Sequence, residues 1–143
     1  MPEAMARACA EAMWEDDPAS KSLGIELVEV GPGRARMRMT VRPDMVNGHG
    51  MCHGGFIFTL ADSAFAFACN TYNERVVAQH CAITFVRPGE LGMVLLAAAT
   101  ERSRAGRGGV YDVTVTSGDG QVIAEFRGNS RGLGKKFFKD AAP

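Results

Sequence analysis

Residues 56–69 read FIFTLADSAFAFAC, and they follow a loop rich in glycine and histidine, NGHGMCHGG, at 47–55. Placed on a helix, residues 56–69 are apolar on nearly every side, which is typical of a helix buried in a core. Asp62 interrupts this pattern, although burying an unpaired carboxylate costs several kcal/mol and Asp is a mediocre helix former. A function for Asp62 is the simplest compensation. The alternative is a carboxylate that hydrogen-bonds to a neighbouring turn or makes a dimer contact.

The rest of the chain has mainly the pattern of strands around this central helix. Residues 2–16 carry apolar side chains at helical spacing and predict a short N-terminal helix. Strands are predicted at 25–30, 34–42, 76–86, 93–101, 109–116 and 121–127. Strands clustered after a single long helix indicate an α+β fold, in which an antiparallel sheet buries one face on the helix. We therefore expect one domain over residues 1–143, with a tail at 133–143 that is prone to fraying.

The composition excludes several classes of protein. The 143 residues carry no formal net charge and give a pI of about 6.8, so the chain lacks the basic excess that binding to nucleic acid or anionic membranes requires. No run approaches the roughly 18 consecutive apolar residues of a membrane span, and the N-terminus lacks a signal-peptide pattern. The four cysteines have no zinc-ribbon spacing and are expected to be reduced thiols. We expect a cytoplasmic protein without nucleic-acid or membrane partners.

The start of the central helix is suited to acyl chemistry. Unpaired backbone N–H groups and the positive end of the helix dipole converge at Gly54 and Gly55, which suits a polarised carbonyl or a developing oxyanion. Asn47 and His53 supply side-chain donors or acceptors in the preceding loop. Asp62 could then act as a general base on water or as a nucleophile on the acyl carbon.

Helix geometry separates Gly54 from Asp62 within one chain. Asp62 lies eight residues beyond Gly54, or roughly 12 Å along a helix that rises ~1.5 Å per residue, too far for both to contact one acyl carbon. Two such helices packed antiparallel in a dimer would place Gly54 of one copy against Asp62 of the other, twice, by two-fold symmetry. We therefore expect an obligate homodimer with shared sites.

The sequence resembles a known family over about residues 23–131. The specific parts of the resemblance are the loop and helix at 47–66 and the later segment FVRPG at 85–89. These segments are similar to those of the PaaI-type hotdog-fold acyl-CoA thioesterases of phenylacetate catabolism, within the superfamily of 4-hydroxybenzoyl-CoA thioesterases. The resemblance implies a sheet wrapped around the central helix, assembly as a dimer of dimers, an aryl-acetyl-CoA substrate and no cofactor.

The resemblance also implies roles for individual residues. Gly54 would polarise the thioester carbonyl through its N–H, and Asp62 would attack the acyl carbon or activate water. Asn47 and His53 would assist in positioning. The chain departs from some relatives because it lacks an obvious Ser or Thr just before the strand at Cys81 to hold water.

Coenzyme A needs cations for its phosphates, and the basic excess lies after Thr84, with 9 Lys and Arg against 6 Asp and Glu. Arg87, Arg104 and Arg107 are the candidates for these contacts, with Gly55 as a further substrate contact. Solvated strand ends explain the same arginines equally well.

Other kinds of site and other functions stay open. A zinc site could be assembled from Cys and His side chains, but three ligands from five adjacent residues is poor spacing, and we expect no metal. Its possible ligands are His49, Cys52, His53, His80 and Cys81. A thiol nucleophile at Cys52 beside His53 is a further alternative, since adjacency in sequence does not create a pair in space. On the same fold, a noncatalytic acyl-CoA-binding regulatory module and an acyl-thioester dehydratase or hydratase are the competing functions.

Overall fold

A computed structural model of the chain describes residues 1–139. Its helices are α1 (Pro2–Glu15), α2 (Pro18–Ser22) and α3 (Gly54–Cys69), and a 3-10 turn lies at Pro43–Met45. Its strands are β1 (Glu26–Gly31), β2 (Arg34–Thr40), β3 (Val76–Phe85), β4 (Val94–Ala105), β5 (Gly108–Thr116) and β6 (Val122–Gly132). Of the helices in this part of the chain, none combines the length and apolar content needed to cross a membrane.

The six strands form one antiparallel sheet in the order β1-β2-β4-β5-β6-β3. Alternation along each strand sets its two faces. On β2, Ala35, Met37 and Met39 are buried, whereas the arginines between them are exposed. The buried face packs on α3, which lies mainly across β2, β4 and β5. This arrangement confirms the predicted α+β fold, an antiparallel sheet around a long central helix.

The centre of α3 lies close to β6 because β6 has a glycine at the point of contact. A Cβ atom at Gly128 would stand 2.8 Å from the ring of Phe65, a distance that real side chains do not occupy. The Phe65 ring is 1% exposed, and its centroid lies 5.7 Å from that of Tyr111 and 5.8 Å from that of Phe126. This packing fixes the height of α3 above the sheet, and with it the position of Asp62 one turn earlier.

Strands β4 and β6 extend beyond the predicted strands 93–101 and 121–127. Their extensions contain arginines that do not follow an apolar alternation, but cross-strand pairing holds them in the sheet. Arg102, in the extension of β4, and Arg127, at the end of the predicted part of β6, contact the carboxylate of Asp112 on β5, at 2.8 Å and 2.6 Å between nitrogen and oxygen. Hydrogen bonds from these guanidinium groups, first from Arg127, hold the pKa of Asp112 at about 2.

The N-terminal segment contains two helices where the sequence predicts one over 2–16. Helix α1 ends at Glu15, and α2 begins at Pro18, a residue that is favoured at the first helical position. The Asp17 side chain caps α2, because its Oδ1 accepts a hydrogen bond from the Ser20 N–H at 3.0 Å. Pro18 therefore starts a new helix in addition to ending the first.

The C-terminal tail, predicted to fray over 133–143, is held at its start. The Leu133 N–H donates to the Arg75 carbonyl at 2.9 Å, and the Arg75 N–H donates to the Lys135 carbonyl at 2.8 Å. The prediction for residues 140–143 lies outside the described residues.

Strand β3 lies at one edge of the sheet and pairs only with β6 within residues 1–139. Two of its large apolar side chains are exposed, Val77 by 45% and Phe85 by 50%. Natural proteins rarely leave a long apolar edge strand open, because it is a template for pairing with another chain.

Candidate active site

The loop before α3 is closed by the side chain of Asn47. Its Oδ1 accepts hydrogen bonds from the His49 N–H at 2.9 Å and the Met51 N–H at 3.2 Å. The backbone N–H of Asn47 donates to the Met51 carbonyl at 2.8 Å. Asn47 is therefore a turn residue in this structure, and it fixes the path that leads to His53.

His53 caps the N-terminus of α3 and leaves one backbone donor open. Its Nδ1 accepts a hydrogen bond from the Gly55 N–H at 3.2 Å, and its carbonyl accepts one from the Phe56 N–H at 3.0 Å. The acceptor role requires a lone pair on Nδ1, so a neutral ring carries its proton on Nε2. The Gly54 N–H, by contrast, has no acceptor among residues 1–139. Of these three N–H groups, that of Gly54 is the one available to a ligand.

Gly54 opens onto a groove of about 410 Å³ with mainly apolar walls. The groove is lined by Met51, Cys52, Gly54, Ile57, Phe85, Val86, Arg87, Pro88 and Gly89. The tip of the Phe85 ring lies against Gly54, because a Cβ atom built on Gly54 would stand 2.8 Å from Phe85 Cζ. Only glycine at this position leaves room for both the ring and the helix start.

Asp62 lies on a different part of α3, within a stripe of partly buried or exposed residues. Gly55, Thr59, Asp62 and Ala66 follow one another at helical spacing on a helix whose other faces are largely buried. Burial raises the pKa of the Asp62 carboxyl. Its one hydrogen-bond contact within residues 1–139 is to Cys81 of β3, with 4.0 Å between Sγ and Oδ1.

A single chain does not bring Gly54 and Asp62 together. Both lie on the same helix, separated by roughly 12 Å at ~1.5 Å per residue. Asp62 is also absent from the walls of the groove at Gly54. The structure therefore keeps the separation that the sequence predicts.

The three candidate arginines divide between the two ends of α3. Arg87 lines the groove at Gly54, and its Nη1 donates to the Val122 carbonyl at 3.0 Å. Arg104 and Arg107 line a cavity of only about 40 Å³ that also includes Cys69, the last residue of α3. Arg87 is thus the candidate cation that shares the groove with Gly54.

Arg104 also interacts with two neighbouring side chains, Tyr72 and Glu101. Its guanidinium carbon lies 3.6 Å from the centre of the Tyr72 ring, and its Nε lies 3.8 Å from Glu101 Oε1. The same carboxylate oxygen accepts hydrogen bonds from the hydroxyls of Tyr72 at 2.9 Å and Tyr111 at 3.0 Å. This cluster ties the end of α3 to the β4–β5 hairpin.

Comparisons with known proteins identify the family of the chain. Residues 49–124 match the family described as the thioesterase superfamily. The chain belongs to the thioesterase superfamily. It is 44% identical over 125 residues to the acyl-coenzyme A thioesterase PaaI of Escherichia coli, an alignment covering 87% of this chain and 89% of that protein.

Solved structures give the same family likeness. The structure of E. coli PaaI, from the phenylacetic acid degradation operon, superposes with a TM-score of 0.93 and 41% identity, over 95% of this chain and 99% of that one. A Streptococcus mutans protein solved with bound acetyl-CoA superposes with a TM-score of 0.75 and 27% identity, over 78% and 90% of the two chains. The predicted family, hotdog fold and thioesterase class are confirmed, whereas the roles of the predicted site residues stay predictions.

The sequence does not identify two side chains that lie near the candidate site, Phe85 and Cys81. Both lie on β3, so their approach to α3 depends on strand register and has no local signature. Within residues 1–139, no three His, Cys, Asp or Glu side chains form a group that could hold a metal ion.

Because Gly54 contacts Phe85, alanine substitutions at the adjacent glycines Gly54 and Gly55 should have unequal effects on activity. Gly54→Ala places a methyl group 2.8 Å from the Phe85 ring and must displace it, whereas a Cβ at Gly55 would lie 3.5 Å from His53 Nδ1, an ordinary contact. Both variants keep their backbone N–H. We expect Gly54→Ala to lower kcat/KM for thioester hydrolysis by about 10-fold or more, because misplacement by a fraction of an ångström is costly in a site that orients its substrate.

Gly55→Ala adds the same methyl group beside the helix start without meeting the Phe85 ring, and it should lower kcat/KM less than Gly54→Ala does. Shortening the neighbour, in Gly54→Ala with Phe85→Leu, should recover part of the loss. Equal activity in the two single variants would show that the ring does not restrict Gly54.

Proposed function

We propose that this protein hydrolyses aryl-acyl-CoA thioesters, such as phenylacetyl-CoA or hydroxyphenylacetyl-CoA, to the free acid and coenzyme A in the cytoplasm. The observation that carries the proposal is the open Gly54 N–H at the head of α3, on a residue that lines an apolar groove. A helix N-terminus with a bare donor can stabilise the negative charge that develops on a thioester carbonyl oxygen. The four free thiols are compatible with a reducing compartment.

The catalytic group proposed to act with Gly54 is Asp62 of a second copy of the chain. The half-exposed stripe of α3 lies next to β3, because Asp62 contacts Cys81 there. A second copy that covers this stripe also covers the open β3 edge with its exposed Val77 and Phe85. Two antiparallel α3 helices would then give two equivalent sites. We propose this dimer as the catalytic unit, assembled further as a dimer of dimers.

The proposed reaction uses these groups in one of two ways. With Asp62 as general base, water attacks the acyl carbon while its proton passes to the carboxylate, and the carbonyl electrons move onto the oxygen held by Gly54. Collapse of the tetrahedral intermediate breaks the carbon–sulfur bond and releases CoA, whose thiolate takes up a proton. With Asp62 as nucleophile, the carboxylate attacks the acyl carbon and displaces the CoA thiolate, which takes up a proton, and water then hydrolyses the resulting mixed anhydride to the free acid and the Asp62 carboxylate. His53 and Asn47 position the loop that carries the Gly54 donor.

The substrate class is supported by the groove and by the relatives. Ile57, Phe85, Val86 and Pro88 give it apolar walls, which suit an apolar substrate segment such as the pantetheine arm or an aryl group. The E. coli relative comes from a phenylacetic acid degradation operon, and the S. mutans protein holds acetyl-CoA.

A screen of phenylacetyl-, hydroxyphenylacetyl-, benzoyl- and straight-chain CoA thioesters, with detection of released thiol, tests the substrate. We expect kcat/KM to be highest for the two aryl-acetyl thioesters. Turnover of straight-chain thioesters alone would contradict the aryl preference. A change in double bonds without thiol release would indicate a dehydratase or hydratase, and binding without either reaction would indicate a regulatory module.

Asp62→Asn should lower kcat by roughly 10²-fold or more while the fold persists. The pH profile of the wild type should also fall on acidification, at a pH above the ~3.9 of an unperturbed Asp, because burial raises the pKa of Asp62 and only the carboxylate acts. Near-normal turnover by Asp62→Asn, or a rate unchanged down to pH 4, would contradict this role.

The same substitution should leave the protein at least as stable at pH 7. A carboxyl whose folded pKa exceeds its unfolded pKa destabilises the fold when ionised, and this penalty disappears below the unfolded value of ~3.9. The Tm of Asp62→Asn should therefore equal or exceed that of the wild type at pH 7, with no advantage near pH 3.

Arg87→Ala should raise KM for CoA thioesters with little change in kcat, because a phosphate contact acts in both ground and transition states. Arg104→Ala removes the same charge at the other end of α3 and is the matched control. A pantetheine thioester without the nucleotide should not distinguish Arg87→Ala from the wild type. Equal KM values for Arg87→Ala and the wild type with CoA substrates would remove Arg87 from the binding site and return Arg104 and Arg107 to consideration.

A further inference from the structure

Among residues 1–139, one side chain hydrogen-bonds to the Asp62 carboxylate and can orient it. Cys81 Sγ lies 4.0 Å from Asp62 Oδ1, in a geometry that allows the thiol to donate. Neither carboxylate oxygen makes another hydrogen bond or ion pair with residues 1–139, so Oδ2 is without a partner there. The contact therefore distinguishes the two oxygens and leaves Oδ2 for the reaction.

The fold of β3 turns Cys81 toward α3. A register irregularity between Ala78 and His80 shifts the pairing of β3 with β6. Beyond it, Cys81 and Ile83 are partly buried, whereas the residues on either side of Cys81 are exposed. Cys81 pairs with Gly128 of β6, the same residue that lets Phe65 approach the sheet. The position of the thiol is thus set by the contact that also sets the height of α3.

The other titratable groups around Asp62 make hydrogen bonds to other partners. Cys69 of α3 is buried, its Sγ donates to the Ala66 carbonyl at 3.5 Å, and burial raises its pKa to about 12. Tyr111 of β5 lies near Cys69, but its hydroxyl donates to Glu101. Within residues 1–139, the side chains of β2, β4 and β6 that cover α3 belong to the apolar core.

Cys81 itself stays protonated at neutral pH. Burial first, and then the charge of Asp62, raise the pKa of the Cys81 thiol. The group is therefore an S–H donor and a poor nucleophile, because nucleophilic attack requires the thiolate. A thiol is also a weak donor, so the carboxylate it contacts keeps most of its basicity.

We propose that Cys81 is a positioning residue for Asp62: its S–H donates to Oδ1 and holds the carboxylate so that Oδ2 faces the substrate. The inference rests on the proposed catalytic role of Asp62. An ordinary hydroxyl at this position would hold the carboxylate more firmly but would also make it a weaker base. The thiol gives orientation at a small cost in basicity.

Two substitutions at Cys81 separate this role from simple packing. Cys81→Ser keeps a donor and strengthens it, so the acidic limb of the kcat profile should move to lower pH by about half a unit, with kcat within about 3-fold. Cys81→Ala removes the donor, so the limb should move to higher pH and kcat should fall by about 3- to 10-fold with KM unchanged. Cys69→Ala removes the neighbouring thiol, and its acidic limb should coincide with that of the wild type.

The profiles for phenylacetyl-CoA or the best substrate of the screen decide the matter. Opposite shifts for Ser and Ala, with no shift for Cys69→Ala, support the positioning role. The role is overturned if Cys81→Ser has the wild-type profile, or if Ser and Ala shift it in the same direction, as a packing effect would. Loss of all turnover in a folded Cys81→Ser protein would make Cys81 a nucleophile and also overturn the proposal. A wild type without thioesterase activity would refute the proposed function instead, and if Cys81→Ala does not fold, the serine profile alone decides.

Discussion

The burial of one carboxylate is the constraint on which the rest of the structure depends. Asp62 lies on a helix that otherwise presents apolar or small side chains to the sheet, and within residues 1–139 only the Cys81 thiol hydrogen-bonds to its carboxylate. Full pairing would stabilise the charge and make the carboxylate a weak base, whereas partial burial with a single weak donor raises its pKa. The buried carboxylate lowers the stability of the fold at this position, and its proposed role as a base or nucleophile explains why a carboxylate is there.

The second constraint is the separation of Gly54 and Asp62 along α3. Gly54 offers its N–H at the first residue of the helix and Asp62 lies more than two turns later, so a rigid helix cannot direct both at one carbon atom. The packing of Phe65 on Gly128 keeps α3 close to the sheet and fixes both groups. In the proposed dimer, a second copy of the chain would satisfy the geometry without bending the helix. The same copy would cover the open edge of β3 and the half-exposed stripe of α3, two features that otherwise lack a common explanation.

The sequence predicts what local patterns encode. Asp62 stands out because it breaks an apolar helix, and Gly54 because a glycine-rich loop opens that helix. Phe85 and Cys81 could not be assigned, since their approach to α3 depends on the register of β3 with β6, including a bulge that no local pattern reveals. Arg87 could not be separated from Arg104 for a similar reason. Arg104 stacks on Tyr72 and lies beside Glu101. Tyr72 is distant from Arg104 in the sequence, so this contact is visible only in the folded chain.

Subunit complementation tests the central claim, that each site combines Gly54 of one copy with Asp62 of another. Asp62→Asn chains are mixed with Gly54→Pro chains, which lack the donor N–H but carry a residue accepted at the first helical position. Circular dichroism verifies that both variants fold, and mass-tagged chains verify exchange. Each heterodimer has one intact site and one doubly defective site, so a 1:1 mixture should regain about a quarter of wild-type activity. Verified exchange with activity no greater than the sum of the two parents would contradict the shared site.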